Sequence, residues 1–171
     1  MPTPIWPKPA CGRFPASRWP RPSASMAASP GAFVVLALGK FGGEEMAEGS
    51  DLDVMLVYDA AEGASGKLSA NEFYARLTQR IISALSAPTE EGMLYAVDMQ
   101  LRPSGSKGPV AVRLSSFQHY YANDAWTWEL QALTRARPVA GNEALAARVI
   151  AGGARSAVES ARQGRHARRR L

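Results

Sequence analysis

"GKFGGEEMAEGSDLDVMLVY" (residues 39–58) decides how this chain is built. A glycine-rich turn comes first and a serine follows. Two aspartates, one residue apart, then lead into an apolar run. On a strand, Asp51 and Asp53 stand at i and i+2 and share a face, while Leu52, Val54 and Leu56 take the other. "LDVMLVY" (52–58) is rich in β-formers, and "FVVLAL" (33–38) is a continuous apolar run of the kind found in buried strands. Gly39, Gly42 and Gly43 break the chain between them, so the two runs read as two separate strands.

Beyond Tyr58, "DAAEGASGK" (59–67) reads as a loop. Ser69 is placed to cap a helix, with Glu72 completing a capping box. Phe73, Leu77, Ile81 and Leu85 then give that helix one apolar face, and Pro88 stops it. "MLYAVDMQL" (93–101) predicts a long strand, with Met93, Tyr95, Val97, Met99 and Leu101 on one face and Asp98 on the other. Arg102-Pro103 ends it, and "SGSKG" (104–108) is a loop. Ser115 is expected to cap a helix through Tyr121. Residues 125–137 predict another, with Trp126, Leu130 and Leu133 on one side. Asn142 caps a last short helix that Gly152-Gly153 terminates. The order strand, strand, helix, strand, helix, helix predicts an α+β fold in which helices cover one face of a small sheet.

The 171 residues suffice for one domain with a sizeable core. The net charge of +5 is unevenly placed: the first thirty residues carry +4, residues 154–171 carry +5, and the centre carries −4. An acidic centre disfavours a nucleic-acid partner. Residues 1–30 hold eight of the twelve prolines and no periodicity, which predicts disorder, as does the Ala/Arg-rich stretch 154–171. The domain is therefore expected over residues 31–153. Cys11 is the single cysteine, which excludes an intrachain disulfide and fits a reducing compartment. No apolar run approaches the ~20 residues of a membrane span and no signal peptide is evident, so a soluble cytoplasmic protein is expected.

If the strands carrying Asp51/Asp53 and Asp98 are neighbours, three carboxylates converge. Three anions so close repel unless a cation sits among them. Hard divalent cations such as Mg²⁺ take oxygen ligands together with substrate phosphates, and two of them can serve both oxygens of an in-line displacement at phosphorus. Gly42 and Gly43 allow close backbone approach to an anion, and the Ser50 hydroxyl can donate to a phosphate oxygen. Each signal has a plain structural reading: D-x-D as a solvated strand end, Gly-Gly as a turn, Asp98 salt-bridged to Arg102. The conjunction is what points to chemistry. His119 and His166 show no metal-ligand spacing, and Lys107 lies in a Gly/Ser loop without P-loop spacing. Trp126 and Trp128 read as packing residues rather than a base-stacking platform.

The pattern Gly-Gly, spacer, D-x-D, third carboxylate resembles the nucleotidyltransferase superfamily. "GKFGGEEMAEGSDLDVMLVYD", "FYARLTQRII", "GMLYAVDMQLRPSGSKGPV" and "NDAWTWELQALTRARPVAG" together resemble the bifunctional glutamine-synthetase adenylyltransferase/adenylyl-removing enzymes of bacteria, over about residues 31–150. Of that family's two catalytic domains, the stretch 125–137 is more similar to the C-terminal, adenylylating one. The resemblance implies a polymerase-beta-like nucleotidyltransferase fold. It implies Asp51, Asp53 and Asp98 as catalytic and metal-binding residues for two Mg²⁺ ions, with Gly42, Gly43 and Ser50 contacting the phosphates of ATP. Arg102 would position the triphosphate or acceptor, or hold Asp98 by an ion pair; Lys40 would reach a phosphate or be solvated. The implied reaction is AMP transfer from ATP to a tyrosine of glutamine synthetase, with PII signalling protein as a partner of full-length members. The alternatives are phosphorolytic deadenylylation, another nucleotidyltransferase acceptor, or a non-catalytic nucleotide-binding remnant. Glu44 stands where the family usually has a basic residue, and the two ends resemble out-of-frame sequence, so a truncated form is expected.

Overall fold

The computed structural model describes residues 29–60, 68–90, 92–93 and 95–162. The first 28 residues, the last nine and most of the loop expected at 59–67 lie outside the described residues.

Strands β1 (Gly31–Ala37) and β2 (Leu52–Ala60) pair antiparallel, with Gly31 opposite Ala60 and Ala37 opposite Val54. A short helix α1 (Gly39–Gly42) occupies the glycine turn between them. Helix α2 (Ala70–Leu85) begins at the expected capping box: Ser69 accepts from the Glu72 amide, and the Ser69 amide donates to Glu72. Then come a two-residue hairpin, β3 (Pro88–Thr89) and β4 (Gly92–Met93), and a two-residue strand, β5 (Val97–Asp98). Strand β6 (Ala111–Arg113), helices α3 (Leu114–Asn123) and α4 (Thr127–Leu133), strand β7 (Arg137–Gly141) and helix α5 (Glu143–Arg162) complete the chain. The main sheet runs β5-β2-β1-β7, with β6 also on β2; β5 and β6 lie parallel to β2, and β7 antiparallel to β1. It is a small mixed sheet in an α+β fold, as expected.

The helices cover both faces of the sheet, not one. Met55 and Val57 of β2 point into a core with Phe117, Leu130, Leu145 and Val149 from α3, α4 and α5. Leu52, Val54, Leu56 and Tyr58 point the other way, against α2. The strand is apolar on both sides, so each face needs its own cover. The deepest residue of α2 is Tyr74, fully buried and stacked on Tyr58 with centroids 4.4 Å apart. The expected stripe of Phe73, Leu77, Ile81 and Leu85 flanks it, partly buried.

Several element boundaries differ from expectation. The long strand over 93–101 is broken. The Asp98 side chain accepts the Gln100 amide (2.7 Å), an Asx-type turn that bends the chain directly after β5. Val97 and Met99 consequently pack on one core and Leu101 on the other, while Tyr95 is 41% exposed. Ser115 lies inside α3, whose N-cap is Arg113. The helix expected over 125–137 ends at Leu133; further on, Pro138 restricts Arg137 to extended geometry, where β7 opens on the sheet edge. Trp126 and Trp128 are 45% and 52% exposed, so neither belongs to the buried core. Asn142 does cap α5, accepting the Leu145 amide at 2.9 Å. Gly152 and Gly153 do not end that helix, which continues through residues 154–162 where disorder was expected.

Candidate active site

The carboxylates gather where β1 ends and β2 begins. The Leu38 amide donates to the Asp53 carbonyl (2.9 Å), and the Leu52 amide donates to the Ala96 carbonyl (2.8 Å). This seats β5 on β2 in parallel register, with Leu52 opposite Val97 and Asp53 opposite Asp98. Residues in register on adjacent strands carry their side chains on one face, with the strands about 4.8 Å apart. Asp53 and Asp98 are therefore lateral neighbours. Asp51 lies just before β2, exposed, with its charge felt at Asp53. The electrostatics agree with this placement. The Asp53 carboxyl is raised above its ordinary value of 3.8, first by partial burial and then by the charges of Asp98 and Asp51, while Lys40 pulls it back down. Among the described residues no three His, Cys, Asp or Glu side chains already enclose a metal position. A cation drawing all three carboxylates together would need a side chain to turn, which exposed Asp51 can do quickly.

The glycine turn plays a different part from the one expected. The Gly42 amide donates to the Leu38 carbonyl (2.7 Å) and the Gly43 amide to the Gly39 carbonyl (3.1 Å). Both are engaged inside the turn, so neither is open to a phosphate in this conformation. These two glycines instead admit the segment before β7. A Cβ on Gly42 would strike the Arg135 carbonyl, and one on Gly43 would lie 2.8 Å from Arg135 Nη2. Arg137 donates to the Phe41 (3.0 Å) and Gly42 (3.3 Å) carbonyls. Arg135 pairs with Glu45, and Arg137 with Glu44 at 3.4 Å. The glycine that meets the site is Gly39: its φ is +51°, and a Cβ there would collide with Oδ2 of Asp53.

Ser50 accepts the Ala47 amide at 3.2 Å, which leaves its own O–H able to donate. Lys40 is exposed beside Asp53. Arg102 is 8% exposed, and its guanidinium donates to the carbonyls of Met99 (2.5 Å), Ser106 (3.4 Å) and Gly108 (3.3 Å). It makes no ion pair with Asp98, and its donors face its own loop rather than an open nucleotide site. Arg135 and Arg137 escape the sequence reading, and Gly39 reads there only as a break after the first strand. A left-handed φ leaves no mark beyond the glycine itself, and the arginines reach the turn across some ninety residues of sequence.

The family model for glutamate-ammonia ligase adenylyltransferase matches residues 13–151. The chain belongs to that family. The match reaches back into the proline-rich segment. The chain is similar to bifunctional glutamine synthetase adenylyltransferase/adenylyl-removing enzymes. That of Caulobacter vibrioides is 60% identical over 116 residues, 66% of this chain and 12% of the relative. That of Brucella suis biovar 1 is 57% identical over 120 residues, 67% of this chain and 12% of the relative. That of Rhizobium meliloti is 46% identical over 142 residues, 80% of this chain and 13% of the relative. The chain thus spans about one eighth of the length of these adenylyltransferases. Among the described residues no helix is long and apolar enough to cross a membrane.

Proposed function

We propose that this site transfers AMP from ATP to a tyrosine hydroxyl of glutamine synthetase. The observation that carries the reading is the in-register pairing of Asp53 with Asp98, with Asp51 near enough for its charge to act on Asp53. The donor set suits Mg²⁺: three hard carboxylates, one of them with its affinity for a proton raised first by burial and then by the charges of Asp98 and Asp51, a repulsion that a divalent cation would relieve. When bound, Mg²⁺ would neutralise the phosphates and favour ionisation of the attacking hydroxyl.

The chain's own residues have separable tasks. Asp51 and Asp53 would hold the cation and, through it, the nucleotide. Oδ1 of Asp98 accepts the Gln100 amide, which leaves Oδ2 as the oxygen to take the tyrosine proton. That assistance matters because a phenol ionises only near pH 10. The tyrosine oxygen forms a bond to the α-phosphorus, the bond from that phosphorus to the bridging oxygen breaks, and pyrophosphate leaves. Ser50 and Lys40 are the groups with donors to offer the phosphates; Gly42 and Gly43 would have to leave their turn bonds to join them.

The test uses the purified chain, Mg²⁺, α-labelled ATP and unmodified glutamine synthetase, with Asp53→Asn alongside. Label on glutamine synthetase that falls by several orders of magnitude in the variant supports the reading. Near-full activity in the variant, or no label from a folded wild-type chain, overturns it. The names of the relatives also carry the adenylyl-removing activity, and phosphorolysis is the same displacement run with phosphate as the nucleophile. Adenylylated glutamine synthetase with inorganic phosphate separates the two.

A further inference from the structure

Asp98 is the last residue of a two-residue strand, held by few sheet bonds of its own. The loop on its C-terminal side, residues 99–108, is unusually well tied down. The Asp98 carboxylate accepts the Gln100 amide, and the Arg102 amide donates back to the Met99 carbonyl (3.4 Å). The buried Arg102 guanidinium gathers the carbonyls of Met99, Ser106 and Gly108. The Tyr121 hydroxyl of α3 donates to the Leu101 carbonyl (3.4 Å), fixing the same loop to the core. Burying a guanidinium is costly unless its donors are matched, and no buried side-chain polar atom among the described residues lacks a partner. Backbone carbonyls can be gathered from three points by a forked, planar donor; a single ammonium cannot do the same.

We propose that Arg102 is a positioning residue for the Asp98 carboxylate. It folds loop 99–108 into the shape that ends β5 at Asp98 and holds that side chain beside Asp53. The functional consequence rests on Asp98 belonging to the site proposed above; the positioning itself does not.

Two readouts test it on the full chain. The first needs no metal: solvent exchange of the Gln100 amide by NMR, read against the Val57 amide in the core. In Arg102→Met the Gln100 amide should exchange about fivefold faster, the size of one lost hydrogen bond, with Val57 unchanged. Arg102→Lys, which keeps the charge and stem but not the fork, should fall between. The second is Mn²⁺ affinity by electron paramagnetic resonance without nucleotide. It should weaken severalfold in Arg102→Met, and Asp98→Asn should abolish that difference. Wild-type Gln100 protection in a folded Arg102→Met overturns the proposal; if ATP affinity is then lost, Arg102 contacts the nucleotide instead. Equal losses at Gln100 and Val57 also overturn it, showing general destabilisation. If Arg102→Met fails to fold, Arg102→Lys decides, and unchanged exchange there overturns it. A wild-type chain that binds no Mn²⁺ overturns the metal reading of the site, while Gln100 exchange still judges the positioning.

Discussion

The Asp53 carboxyl is raised above its ordinary value of 3.8 by partial burial and by Asp98 and Asp51, so the folded chain holds that proton more tightly than the unfolded chain. The contribution to stability is therefore present below about pH 4 and is lost as pH rises through the raised value. At neutral pH the ionised group opposes folding. Asp53→Asn removes the ionisation, so without divalent cations it should raise Tm at pH 7 and leave Tm unchanged at pH 3. A lower Tm at pH 7 would show that the repulsion does not control this corner. Gly39→Ala should act oppositely. Its left-handed φ and the collision with Asp53 Oδ2 predict a loss of about 1–3 kcal/mol in urea unfolding. Much at this level was legible in the sequence. The spacing of Asp51 and Asp53 fixed their shared face, and the third carboxylate arrived opposite the second. The partners of Arg102 were not legible, because which carbonyls a guanidinium gathers depends on a loop path that no periodicity encodes.

Helix α5 runs unbroken through Gly152 and Gly153, although a glycine pair reads as a stop. The reason lies in its packing. A Cβ on Gly153 would sit 3.2 Å from Leu133 Cδ1, so this glycine lets α5 approach the end of α4, whereas one on Gly152 would meet only Gln118, 3.9 Å away. Gly152→Ala should therefore stabilise the protein by about 0.5–1 kcal/mol through helix propensity alone. A destabilised variant in urea unfolding would mean that the helix does break there. Long elements with a strong pattern, β1, β2 and α2, could be read from residues alone. Strands β5, β6 and β7 could not be delimited, since two, three and five residues carry too little periodicity. β7 also contains Pro138 and begins at the last residue of the expected helix. It is a strand because β1 offers it an edge.

The two cores on opposite faces of the sheet meet in β2, and β2 begins at the carboxylates. Strand β2 is also braced from distant sequence: Arg137 holds the glycine turn before it, and Arg148 of α5 reaches Asp59 near its far end at 2.5 Å. Occupancy of the site should consequently be felt by the whole fold as one cooperative unit. A ligand that binds only the folded state stabilises it by about 2.7 kcal/mol at a hundred times its Kd, which for a chain of this size corresponds to roughly 5–10 °C in Tm. MgATP at that excess should raise Tm by this amount in the wild-type chain and leave an Asp51→Asn/Asp53→Asn variant unmoved. ATP with EDTA should do much less for either, because the phosphates would then bring negative charge to a cluster that already repels itself. A shift of equal size with and without the metal would place the nucleotide away from the carboxylates. The Asp53–Asp98 pairing would then be a feature of the fold alone.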